Sequence, residues 1–357
     1  MSDMTLEQIQ QSLDAGIITQ AQADAMRVKI ADKASAASEN PDMAMIGNED
    51  NMRFVRSFSD VFIAIGVALL ALGLSFTAAL FGGGISFLGA AIVMAILAEY
   101  FGKRKRQHLP TLITALAFLL FTQRGLSVVI GDAGLGGGMT VAAISLGAML
   151  LFYWRVRLPF CIALIALATL YLFFAIIKAA APGIIQDHFG WMILFSGLIT
   201  FAVALWYDTQ DKHRTTRFAD NAFWLHFTAA PLIIHGLALI LVRLESELLF
   251  NIIPMVSLDR KDAGLVVLMV IFVALIGLAI NRRALLVSSL GYAGFAIAFL
   301  MQDTGLGFGK VAAFTLLILG LAIIFLGAGW HSVRNAMLRV LPKWSIFPPP
   351  FDPNYKL

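Results

Sequence analysis

Residues 61–81 read Val-Phe-Ile-Ala-Ile-Gly-Val-Ala-Leu-Leu-Ala-Leu-Gly-Leu-Ser-Phe-Thr-Ala-Ala-Leu-Phe, without one charged side chain. A helix needs about 20 consecutive apolar residues to cross the hydrocarbon of a bilayer. A helix that is apolar on every face must be buried all round, in a large protein core or in a bilayer. Nine further stretches follow, at about 85–101, 109–129, 139–154, 158–177, 189–207, 222–242, 263–280, 284–301 and 311–330. The expectation is an all-α, polytopic transmembrane helix bundle of about ten spans, carrying a small soluble N-terminal helical hairpin.

Composition agrees. Of the 357 residues, 59% are hydrophobic and 13% charged, against about 25% charged in soluble domains. Lipid-facing positions must be apolar as well as the core, so a bilayer accommodates this balance. The formal net charge of +4 is too small to point to nucleic acid. Cys161 stands alone inside a span and reads as a buried structural thiol.

Charge placement carries the orientation. With the N-terminus inside, 20 of the 26 lysines and arginines fall in the inner segments, and Arg124, Lys178, Arg243, Arg260, Lys261 and Lys310 fall outside. Basic residues accumulate on the cytoplasmic side. Both termini are therefore expected in the cytoplasm. The third span is the weakest, because Gln123 and Arg124 interrupt it. Ending it there would throw later basic loops outside, so the charge pattern keeps it. A polar start without a basic segment and apolar core leaves insertion to the first span.

Four segments are expected. Residues 1–34 form a cytoplasmic helical hairpin that docks a cytoplasmic protein partner. Thr5 with Gln8 and Thr19 with Gln22 fit capping boxes, and Gly16 suits the left-handed end of the first helix. Leu6, Ile9 and Leu13 make one apolar stripe, facing Met26 and Ile30. Residues 35–56 are a linker and 57–330 the transmembrane bundle. Residues 331–357 hold a cytoplasmic amphipathic helix and a stiff tail at Pro348 to Pro350. Residues 244–256 are too short to span and read as an interfacial or re-entrant piece.

Asp132-Ala-Gly-Leu-Gly-Gly-Gly138 and Asp303-Thr-Gly-Leu-Gly-Phe-Gly309 share the pattern D-x-G-L-G-x-G, six spans apart. They are either the trace of a parallel repeat or two tight loops that independently use glycine. Leu13-Asp-Ala-Gly16-Ile-Ile-Thr19-Gln-Ala-Gln22, ahead of a linker and a many-span body, resembles an uncharacterised group of bacterial multi-pass membrane proteins catalogued as a domain of unknown function. The resemblance implies a bacterial inner membrane and no known activity, and it carries over no functional residues.

Charges within a bilayer are unfavourable by about 2.5–3.5 kcal/mol at mid-helix on insertion scales, so each is a site candidate. Arg124 either binds an anionic substrate or headgroup, pairs with Asp132, or snorkels to the outer interface. His226 and His235 flank Pro231 in one span and point to opposite sides of an ideal helix. Each serves either as a proton carrier or as a hydrogen-bond partner of a neighbouring helix. Asp303 completes the candidate polar pathway of Arg124, Asp132, His226 and His235. Glu99 reads as an interfacial charge. Motifs of zinc proteases, intramembrane aspartyl and rhomboid-type proteases and phosphate-binding loops fail on inspection. No metal or cofactor is expected. A secondary transporter or lipid-handling carrier is the leading reading, a non-catalytic scaffold or assembly factor the alternative, and an enzyme third.

Overall fold

The computed structural model describes residues 6–28, 58–131, 134–211, 216–241, 247–249, 253–255, 260–302 and 307–340. The chain divides into two compact units, Met1–Asn51 and Met52–Leu357. The smaller holds α1 (Leu6–Asp14) and a second helix, α2, over residues 20–28. Gly16 ends α1 at φ 71°, a conformation that glycine adopts without strain. The Gly16 amide donates to the Leu13 carbonyl at 2.9 Å and the Ile17 amide to the Ser12 carbonyl at 2.9 Å, closing a Schellman turn. At the start of α2 the Thr19 amide donates to Gln22 Oε1 at 2.9 Å, and the Gln22 amide to Thr19 Oγ1 at 3.4 Å, a reciprocal capping box. Ile9 and Ala23 are fully buried. The Thr5–Gln8 box and the tail beyond Val340 lie outside the described residues or side chains.

The described residues of the larger unit are almost wholly helical. Its helices are α3 (Phe58–Leu80), α4 (Gly84–Glu99), α5 (His108–Ile130), α6 (Gly134–Val156), α7 (Phe160–Ala180), α8 (Pro182–Gln210), α9 (Arg217–Leu241), α10 (Arg260–Ala279), α11 (Arg283–Gln302) and α12 (Phe308–Val340). A wider π turn, Tyr100–Lys105, continues α4, and a break at His188 (φ −127°) sets off the first turns of α8. Among the described residues, eight helices are long and apolar enough to cross a membrane: α3 to α9, and α12. In α10 and α11 the apolar runs are shorter, Gly264–Ala279 and Arg283–Ala298. Only a helix can present so many apolar side chains to lipid while pairing its own backbone. The chain is thus built as a multi-pass membrane protein.

Gln123 and Arg124 do not end α5, which runs on to Ile130. Within residues 244–256, the described part forms two strands, β1 (Glu247–Leu249) and β2 (Ile253–Met255), paired antiparallel. Residues 331–340 continue α12 without a break rather than starting a separate helix.

Consecutive helices pack as hairpins, and α8 with α9 make the most extensive pair. Their closeness depends on glycine. A Cβ on Gly236 would lie 2.5 Å from the Leu194 amide nitrogen, and one on Gly197 2.8 Å from that of Ile233. Small residues let helix backbones approach where dispersion, rather than the hydrophobic effect, holds helices together. Half of the α9 span is buried, against 12% of the α12 span, so α9 is a central helix and α12 a peripheral one. Four threonines within the spans turn back on their own helices: Thr122, Thr169, Thr200 and Thr228 each donate to the carbonyl four residues earlier. A threonine can therefore sit in a span without an unpaired donor.

A buried ionic cluster at one end of the bundle

Three side chains from distant parts of the chain meet at the end of the bundle that holds the turns after α4, α6, α8 and α10. Asp208 lies on the last turn of α8, His226 inside α9, and Arg282 in the turn between α10 and α11. The His226 Nε2 stands 2.9 Å from Asp208 Oδ2. Arg282 Nε donates to the same oxygen at 3.2 Å, and Arg282 Nη2 donates to Asp208 Oδ1. The guanidinium thus holds the carboxylate as a fork, with two parallel bonds and both partners ionised. Exposure is 7% for Asp208, 0% for His226 and 1% for Arg282. The Phe201 ring meets the His226 imidazole edge-on, with centroids 5.3 Å apart.

Each member is positioned by local structure. The glycine contacts of α8 with α9 bring Asp208 and His226 to one level. Asp211 then starts α9: its Oδ2 accepts from the Thr216 amide at 2.7 Å and from Thr216 Oγ1 at 2.6 Å, while the Phe218 amide donates to Thr216 Oγ1 at 3.2 Å. Arg282 is aimed by a second Schellman turn. Asn281 takes the left-handed conformation at φ 53°, its amide reaches the Leu278 carbonyl at 3.2 Å, and the Arg282 amide reaches that of Gly277 at 2.8 Å.

The C-terminal part of α12 clamps this turn from outside. Trp330 Nε1 donates to Asn281 Oδ1 at 2.8 Å, and Arg334 Nε donates to the Leu278 carbonyl at 3.1 Å. The Arg283 guanidinium lies 5.3 Å from the Trp330 ring centroid, within cation–π range. Leu278, Leu286 and Trp330 are buried together, with Val333 and Met337 packed against them. The segment read as an amphipathic helix is the apolar side of this clamp.

Of the residues proposed from sequence, His226 belongs to the cluster. His235 is half-buried further along α9, its ring centroid 6.2 Å from that of Tyr292. Arg124 is exposed on α5 and is not part of the cluster. Asp132 and Asp303 lie outside the described residues. Glu99 accepts from Arg155 at 2.7 Å and stands 3.6 Å from Lys103, at the same end of the bundle. Asp208 and Arg282 were missed. Asp208 stands one residue past the proposed 189–207 span, where a carboxylate reads as an interfacial charge. Arg282 fell among the basic residues that set orientation. The usable signal was an aspartate closing an apolar run, opposite the span that holds His226.

The cluster carries three ionisable groups. With the imidazole neutral its net charge is zero, and with the imidazole protonated it is one positive charge. In either state the carboxylate keeps the arginine as its counter-charge. No family model, curated protein or solved structure matches this chain.

Proposed function

We propose that this protein is a secondary transporter or lipid-handling carrier of a bacterial inner membrane, with Asp208, His226 and Arg282 as its proton-responsive polar centre. One observation carries the reading: a carboxylate buried in an apolar bundle and shared by a histidine and an arginine from separate elements. Ionisable groups inside membrane bundles are expensive, and mark ion and proton pathways by default. Imidazole is the side chain whose ordinary titration falls near physiological pH. Its protonation would change the charge balance that joins α8 to the α10–α11 turn.

Ten crossings, with both termini in the cytoplasm, are the topology that fits the reading. Its support is the 20-to-6 split of basic residues and the ten helices in sequence. On this topology the cluster faces the cytoplasmic end.

The scaffold reading stands second, and one observation favours it. Asp208 is held by bonds from two partners, the pattern of a structural staple. Residues 1–34 would then dock a cytoplasmic protein, and the bundle would be their anchor.

Proton movement separates the two. The full-length protein is reconstituted into liposomes of phosphatidylethanolamine and phosphatidylglycerol with entrapped pyranine, and a dialysable cell extract is added outside. A carrier gives extract-dependent internal pH change in the wild type that Asp208→Asn and His226→Gln lose. Equal traces from wild type, variants and protein-free liposomes would leave the scaffold reading standing.

A further inference from the structure

A groove of about 760 Å³ opens on the side of the bundle between α4, α5 and α6. None of its walls belongs to α8, α9 or the α10–α11 turn, so it is separate from the Asp208 cluster. On α4 it is bounded by Leu88, Ala91, Ala95 and Glu99, positions that recur along one helical face. Phe118 of α5 and Ala148 of α6 line it from the neighbouring helices. The alanines create the space: leucine-sized side chains at the same places would fill it.

The groove is apolar along its length and charged at one end. From Leu88 to Glu99 it runs eleven residues, about 16 Å at 1.5 Å per residue. That is close to one leaflet of a hydrocarbon core about 30 Å thick. At the charged end Arg104 and Arg155 reach the mouth. Lys103 and Lys105 follow on the same π turn. Glu99 is the single carboxylate there, and its bond to Arg155 at 2.7 Å steadies that guanidinium at the rim. Arg104 is exposed beside it. Four basic side chains against one acidic one leave the mouth positive, at the level where lipid headgroups lie.

We propose that this groove holds an acyl chain of an anionic phospholipid, whose phosphate is bound at the mouth by Arg104 and Arg155. Length, apolar lining and charge each match one part of such a lipid: a leaflet-long chain, and a negative headgroup at its end. A guanidinium binds a phosphate through paired N–H donors, which a zwitterionic headgroup partly neutralises with its own cation. Basic pockets between helices on the cytoplasmic side are lipid headgroup sites on the same physical grounds. The proposal is independent of the carrier reading, since it uses other helices and needs no transport.

Native mass spectrometry of the purified, delipidated full-length protein tests it. The protein is titrated with dioleoyl phosphatidylglycerol and, separately, with dioleoyl phosphatidylcholine. The wild type should bind the first lipid at a stoichiometric site more tightly than the second, by about fivefold for each arginine engaged. Arg104→Gln should lose about one such factor, and Arg104→Gln with Arg155→Gln should bind both lipids alike. Ala148→Trp, which puts a bulky side chain into the groove and leaves the mouth charges in place, should abolish the stoichiometric site for both. Arg104 is exposed, so its variant folds as the wild type does, which a matching Tm confirms. Equal binding of the two lipids to the wild type, or unchanged preference in the double arginine variant, would overturn the proposal in favour of a non-selective lipid annulus.

Discussion

Arg334, near the end of α12, donates from Nε to the main-chain carbonyl of Leu278 on α10 at 3.1 Å. Leu278 lies in the last turn of α10, and its carbonyl accepts from both the Asn281 amide, at 3.2 Å, and Arg334. Arg334 is 6% exposed, so water cannot substitute for it. A residue that counts in sequence only as a cytoplasmic positive charge therefore fastens the turn that aims Arg282. Arg334→Met keeps the apolar stem but withdraws the donor. The expected loss of stability is about 1–3 kcal/mol, read as a lowered Tm of the detergent-purified protein. Arg334→Lys should recover part of it, and a Tm equal to wild type for Arg334→Met would show that the contact does not matter.

The approach of α8 to α9 makes a second prediction. Gly236→Ala places a methyl 2.5 Å from the Leu194 nitrogen and 2.6 Å from its Cα, where only backbone movement can relieve the clash. Overpacking of this kind destabilises by about 1–3 kcal/mol. Gly147→Ala is the control, because nothing lies within 4 Å of its added Cβ; it should be neutral, or stabilising by up to about 1 kcal/mol. Equal effects of the two substitutions on Tm would remove close packing as the reason for Gly236.

Much of the architecture was legible because helices in lipid follow from local composition alone. The 61–81 run became Phe58–Leu80, and the doubtful third span became His108–Ile130. The caps at Gly16 and Thr19 were legible too, since they depend on residues within one turn. The candidate site was legible only through His226. Asp208 lies 18 residues from His226 and 74 from Arg282, and no local pattern encodes a pairing over such distances. Arg282 and Arg334 were counted for orientation, yet a basic residue in an inner turn can also be folded inward, and charge counting does not separate the two.

Arg124 was the leading sequence candidate, and its exposed position on α5 makes a sharp prediction. Arg124→Leu should change Tm by less than the equivalent of about 0.5 kcal/mol, as exposed substitutions do. Extract-dependent proton movement in the liposome assay should also be unaltered. A variant of normal Tm that has lost this activity would return Arg124 to the polar pathway.

Orientation is tested by paired topology reporters. Fusions after Arg106, Arg157, Arg217 and Arg283 should report cytoplasm, and fusions near Gly136, Asp187, Asp259 and Gly307 the outer side. The motive is the 20-to-6 division of basic residues. An external signal after Arg157 would mean that α5 does not cross, and the proposed ten-span order would fail.

Asp208 and Arg282 form one buried, mutually dependent pair, and a double-mutant cycle measures that dependence most directly. Asp208→Asn, Arg282→Gln and the combined variant are unfolded in detergent beside the wild type. Breaking a buried ion pair from one side leaves an uncompensated charge and destabilises by about 3–5 kcal/mol. Removing both partners leaves no such charge, so the double variant should lose clearly less than the two single losses together, with a coupling of about 1–3 kcal/mol. Simple additivity, with small single effects, would mean that the two side chains do not meet in the folded protein, and the account built on them would fall.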